Sequence, residues 1–313
     1  MNATFVMLAP DAVVGGYVEL VLERVQAHGL RTGACRLFRL DYERLGRMYA
    51  HRDQAPVYGG QRTSLPPAVM SPLYAQAPAA VVVLDQEGGD ACAAMLKCKG
   101  ATRPEAAAPG TIRIAGENYV FNLVHCPDSR ADAEIELRYL VGAADAEALW
   151  AISAGREPAM MNLAGVEQLR LCLPAFSGWE TLSFPATANR IRCRVVQKLA
   201  GLARADREAT GRLATIHAAL ENERSRLLAA GSVVERWRIG VEVDSAVRDD
   251  LAGAAVRDPR IGAGLAALSA LYDVDGKRDV DSIRQMDACG IYLSPVEAVA
   301  LDGHAYTCWR ENG

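Results

Sequence analysis

At 313 residues, half of them hydrophobic, the chain is long enough for a well-buried core and for two domains. A formal net charge of −4 and a pI near 5.8 leave no electrostatic case for binding a nucleic-acid backbone. The N-terminus has no basic region followed by an apolar core, and no apolar run reaches about 18 residues, so a soluble cytoplasmic protein without a membrane partner is expected.

Apolar runs over residues 4–8, 35–40, 79–84 and 119–124 read as strands, with helical patterns over about 16–28, 42–50, 88–97 and 130–140. A β-α-β-β-α-β order of this kind is the ferredoxin-like arrangement, an α+β fold with a four-stranded antiparallel sheet and helices on one face. The stretch from Ala55 to Pro72 is rich in Pro and Gly and reads as an inserted loop. Tyr58 and Arg62 are the residues of that insert best suited to touch a ligand.

Beyond residue 140 the run Ala143–Trp150 is followed by a linker-like stretch to about Pro185. Residues from Asn189 to Ala230 read as one or two long helices. Leu199, Leu202, Leu213, Ile216, Leu220 and Leu227 form an apolar stripe there between Arg/Glu-rich faces. Such a stripe needs a cover, which the N-terminal domain or a second subunit of a homo-oligomer would supply. The tail holds a helix-like 261–272, an acidic turn, a short helix around 279–288 and the run Tyr292–Ala300.

Several familiar chemistries lack support. The eight cysteines are scattered without zinc spacing, so reduced, mostly buried thiols are expected. Residues 273–284 superficially suggest a calcium loop, but the Gly comes too early and Arg284 stands where a closing Glu belongs. Neither a P-loop nor a Gly-x-Ser-x-Gly elbow occurs. His217, inside a helix, and His304, in a polar loop, are isolated and read as structural.

One segment stands apart. Gly100-Ala-Thr-Arg-Pro-Glu-Ala-Ala-Ala-Pro-Gly-Thr-Ile-Arg113, followed by Asn122-Leu-Val-His125-Cys-Pro-Asp-Ser129, resembles the active-site stretch of nucleoside diphosphate kinases. The resemblance begins at Thr4-Phe-Val-Met-Leu-Ala-Pro-Asp11 and runs through Val18–Val25, Cys35–Leu40, Arg47–Asp53 and Ala79–Leu84 to Glu134–Leu137. It implies a kinase-like domain over 1–145; beyond it, composition and periodicity read as an irregular linker over 146–187 and a mainly helical domain over 188–313, in which we recognise no family.

By that resemblance His125 takes a phosphoryl group from ATP or another nucleotide and passes it on, with Glu136 orienting its ring. Arg113 and Thr102 would hold the phosphates and Asn122 the sugar, with Tyr49 and Asp128 also lining the nucleotide site. Mg²⁺ would bridge the phosphates without a direct protein ligand.

The sequence departs from the family at three cations: its lysine is Ala9, and two arginines are Leu96 and Gly15. The family's His-Gly-Ser-Asp is here His125-Cys126-Pro127-Asp128, the loop before the histidine is one residue shorter, and the Phe-Phe that clamps the base is missing. Losing one preorganised donor typically costs about 10²–10³ in rate. Other cations would have to enter the site, and Arg62, Lys97, Lys99 and Arg103 are the nearest in sequence. The expectation is therefore a divergent nucleotide phosphotransferase acting through a phosphohistidine on a specialised nucleotide, weak as a general kinase. The alternative is an inactive pseudo-kinase that binds a nucleotide or a protein partner.

Overall fold

The computed structural model describes residues 3–50, 57–58, 61–62, 67–155, 182–255, 258–273 and 285–312. The chain divides into two compact units, Met1–Glu180 and Thr181–Gly313.

The first unit opens with β1 (Ala3–Leu8), α1 (Pro10–Val14), α2 (Val18–Ala27), β2 (Arg31–Phe38) and α3 (Tyr42–Ala50). A two-residue hairpin, β3 (Val57–Tyr58) with β4 (Gln61–Arg62), leads to α4 (Pro67–Gln76). Then come β5 (Ala79–Asp85), α5 (Ala91–Lys99), β6 (Val124–His125), α6 (Arg130–Val141) and α7 (Ala143–Ser153). The main sheet has the order β2-β5-β1-β6, every neighbouring pair antiparallel. This is the ferredoxin-like sheet expected from the periodicity.

Helices cover both faces rather than one. Side chains alternate between faces along a strand, yet all six residues of β1 are buried. Val6 and Leu8 meet Val13, Val21, Val25 and Met95 of α1, α2 and α5 in one core, while α6 and α7 pack against β1, β2 and β5. Continuous apolar runs such as Ala79-Ala-Val-Val-Val-Leu84 follow from burial on both sides.

Two further departures concern boundaries. The expected fourth strand at 119–124 shrinks to Val124–His125, because Asn118 Oδ1 accepts the N–H groups of Val120 and Phe121 at 2.8 and 3.0 Å. A side chain that captures local amides competes with a sheet ladder. The Pro/Gly-rich insert is also not wholly loop, since α4 begins at Pro67 and continues through Pro72.

The second unit contains α8 (Phe184–Leu202), α9 (Arg207–Ala229), α10 (Val233–Ala254), α11 (Pro259–Ala270), a 3-10 turn at Gln285–Cys289 and α12 (Pro295–Asn312). The long helical run breaks at 203–206, where Asp206 caps α9 by accepting the N–H of Ala209. Ser232 caps α10 in the same way through Glu235.

Leu199, Leu213, Ile216 and Leu220 share a core with Val243, Val247 and Leu251 of α10 and Leu265 and Leu268 of α11. The apolar stripe is therefore covered within its own unit, and only Leu202 of the stripe is exposed. His304 lies buried in α12 rather than in a polar loop, stacked on Phe184 with ring centroids 4.0 Å apart. All the described cysteines are free thiols; Cys172 lies outside the described residues. So do most of the calcium-like stretch and residues 279–284 of the expected short helix.

Candidate functional site

The site is assembled where β6 meets the end of β1. Met7 pairs with His125 and Leu8 with Val124. Just before this pairing Leu123 adopts φ 71°, a left-handed conformation costly for a branched residue. Two long-range bonds hold it there: Ala9 N donates to Leu123 O at 2.9 Å, and Leu123 N donates to Asp11 Oδ2 at 3.0 Å. Burial pushes the Asp11 carboxyl up to about 6, against the opposing pull of the Leu123 amide and the Arg113 charge.

His125 is buried, and its Nε2 lies 2.6 Å from Glu136 Oε2. Glu136 has no exposed surface and is delivered by α6, whose N-terminus is capped by Ser129 accepting the N–H of Asp132. A carboxylate fixed in this way sets which ring nitrogen carries the proton and how the imidazole is turned.

Arg113 lies on a short 3-10 turn and is also buried. Its Nε and Nη2 donate to Val124 O at 3.2 and 2.8 Å, and its Nη1 donates to Thr102 Oγ1 at 3.1 Å. The guanidinium thus clamps the residue before His125 to the loop after α5. That loop closes tightly: Ile112 N donates to Cys98 O at 2.9 Å, and a Cβ at Gly100 would fall 2.5 Å from Thr111 Oγ1. Asn122 Nδ2 donates to Thr102 O at 3.1 Å and to Tyr119 O at 2.8 Å, so its amide oxygen is what it can offer a ligand.

These groups meet around a cavity of about 240 Å³. Thr102, Arg113, Asn122, His125, Asp128 and Lys99, all singled out in the sequence, line it. Lys99 Nζ sits 3.8 Å from Asp128 Oδ1. Burial pushes the Cys126 thiol up while the Lys99 and Arg113 charges pull it down.

Other sequence candidates fall elsewhere. Lys97 and Arg103 occupy exposed positions and are not part of this lining. Tyr49 is carried by α3, and Tyr58 and Arg62 by the hairpin, with side chains outside the described residues. Ala9 forms part of the cavity wall, whereas Leu96 packs against the sheet core. At Gly15 an added Cβ would lie 2.4 Å from Asp11 O, so a larger residue there would have to move the backbone.

Met70 and Tyr74 of α4, with Tyr119 and Val120, also line the cavity and were missed. The spacing Val69, Met70, Leu73, Tyr74 is a helical apolar face, which Pro72 and the surrounding Pro/Gly composition disguised.

The family model for nucleoside diphosphate kinase matches residues 2–145. The nucleoside diphosphate kinase of Campylobacter fetus subsp. fetus is 31% identical over 140 residues, which is 44% of this chain and 94% of that protein. A Thermus thermophilus nucleoside diphosphate kinase is 33% identical over 138 residues, 44% of this chain and 93% of its own. Among solved structures, the Aquifex aeolicus nucleoside diphosphate kinase aligns with a TM-score of 0.36 at 28% identity, over 44% of this chain and 92% of that one. A halophilic nucleoside diphosphate kinase from Halobacterium salinarum, solved with CDP, gives 0.37 at 28% identity over 45% and 88%.

Proposed function

The chain belongs to the nucleoside diphosphate kinase family, and on that premise we propose that its N-terminal unit is a nucleotide phosphotransferase working through a phosphohistidine at His125. The observation that carries this reading is the 2.6 Å contact between His125 Nε2 and the buried Glu136 carboxylate, beside a cavity lined by Arg113, Thr102 and Asn122.

With Nε2–H donated to Glu136, the imidazole attacks the γ-phosphorus of a nucleoside triphosphate through Nδ1. An N–P bond forms, the bond from γ-phosphorus to the bridging oxygen breaks, and the diphosphate leaves with that electron pair. The terminal oxygen of an acceptor diphosphate reverses these steps and restores the histidine. Arg113 and Thr102 face the phosphates, and Asn122 Oδ1 accepts from a sugar hydroxyl.

Among the described residues no three His, Cys, Asp or Glu side chains converge as metal ligands. A Mg²⁺ ion would be held chiefly by the nucleotide's phosphates, and Asp128 is a carboxylate that lines the same cavity. The ion's chemistry there is to offset charge on the transferring group.

Ala9 and Leu96 set the expected pace. Two apolar side chains where cations would stand favour slow general transfer and a specialised nucleotide substrate, and they also favour the second reading, a domain that binds nucleotide without turnover. A panel of nucleoside diphosphate acceptors with ATP as donor separates the two. The phosphotransferase reading expects slow transfer with a marked preference for one acceptor, abolished by His125→Gln. Nucleotide binding with no transfer to any acceptor, and none beyond the His125→Gln background, would establish the second reading.

A further inference from the structure

Phosphoryl transfer depends on cations held against the moving group, and two such positions are apolar here. Leu96 and Lys99 lie three residues apart on α5 and so share one helix face, a turn from each other. Leu96 is spent on the sheet core. Lys99, the last residue of the helix, reaches the same cavity as His125, Thr102 and Arg113. Its side chain retains only 12% exposure, so most of its length is packed against the cavity wall.

Its ion pair with Asp128 is loose. Asp128 Oδ1 is 3.8 Å away, beyond hydrogen-bond length, and the Asp128 side chain is 58% exposed. Arg113, in contrast, directs Nε, Nη1 and Nη2 to Val124 O and Thr102 Oγ1, which fixes the strand that carries His125. A lysine at a helix C-terminus is favourable anyway by the helix dipole, but that accounts equally for Lys97, which is exposed. Burial against the cavity is what distinguishes Lys99.

We propose that Lys99 is a second phosphate-binding cation of this site beside Arg113, supplying from the end of α5 charge that Ala9 and Leu96 do not carry. The proposal rests on the phosphotransferase reading of the cavity. Its ligand is the terminal phosphate of a nucleoside triphosphate, and Lys99 acts beside the reacting atoms rather than through another residue.

Calorimetric titration of the full chain with ATP, inorganic tripolyphosphate and adenosine tests it, alongside labelling of His125 from γ-labelled ATP. Lys99→Met should weaken ATP and tripolyphosphate roughly tenfold or more and leave adenosine unchanged, since a charge-assisted contact is lost. Lys99→Arg should recover most of that affinity, which separates lost charge from lost folding. Arg138→Gln, at a surface ion pair on α6, should bind as the parent does. If the parent binds ATP and labels His125 while Lys99→Met binds within twofold of it, the proposal is overturned and the phosphotransferase reading stands. If the parent binds neither triphosphate, both fall together.

Discussion

Glu136 is fully buried and touches His125 at 2.6 Å, and in the proposed reaction it holds the imidazole. Glu136→Gln keeps the shape but removes the carboxylate's preference for an N–H at Nε2. The rate of His125 labelling from ATP should fall by about 10² or more, with nucleotide affinity little changed; a proportional loss of affinity would point to collapse of the pocket instead. Asp11 makes a stability prediction. Its carboxyl is raised from 3.8 to about 6, so the folded chain holds that proton more tightly than the unfolded one. The contribution is full below pH 3.8 and is lost as pH rises through about 6. Melting curves of Asp11→Asn should therefore lack the decline that the parent shows across that window. Of the residues that meet at the cavity, Thr102, Arg113, Asn122, His125 and Asp128 were legible because a motif fixes their spacing, whereas Tyr119 and Val120 in the same stretch were not. The bond from Leu123 N to Asp11 joins two distant parts of the chain, and no local pattern announces it.

Among elements, α7 shows how helices are added to a small sheet. It packs on β2, the edge strand, and Ser153 Oγ accepts the N–H of Ala34 at 3.0 Å. Approach is close enough that a Cβ at Gly33 would lie 2.6 Å from that oxygen. An unpaired edge amide is both a buried donor and a template for another strand. Ser153→Ala should cost on the order of 1 kcal/mol, read by urea denaturation, with no change in nucleotide binding; an unaltered midpoint would mean that water replaces the hydroxyl at no cost. Long, regular elements such as β1, β5, α2 and α6 were readable from periodicity alone. The fourth strand was misread because Asn118 captures two amides, and α4 because a helix that runs through Pro72 contradicts composition.

At the scale of the whole molecule, the two units each bury a core of their own. A stripe of leucines on a long amphipathic helix says that a cover exists but not which element provides it. Here α10 and α11 do so. Ile216→Asp would bury an unpaired charge in that core and should unfold the helical unit, seen as loss of helical circular dichroism, whereas a purely surface stripe would tolerate it. None of the helices among the described residues is long and apolar enough to cross a membrane. The central claim, a phosphohistidine at His125, is tested most directly by exposing the full chain to γ-labelled ATP and mapping the label by peptide mass spectrometry. An acid-labile phosphoryl group on the peptide carrying His125, absent from His125→Gln and discharged by an acceptor nucleoside diphosphate, is the predicted result. ATP binding without any label on that peptide would contradict it.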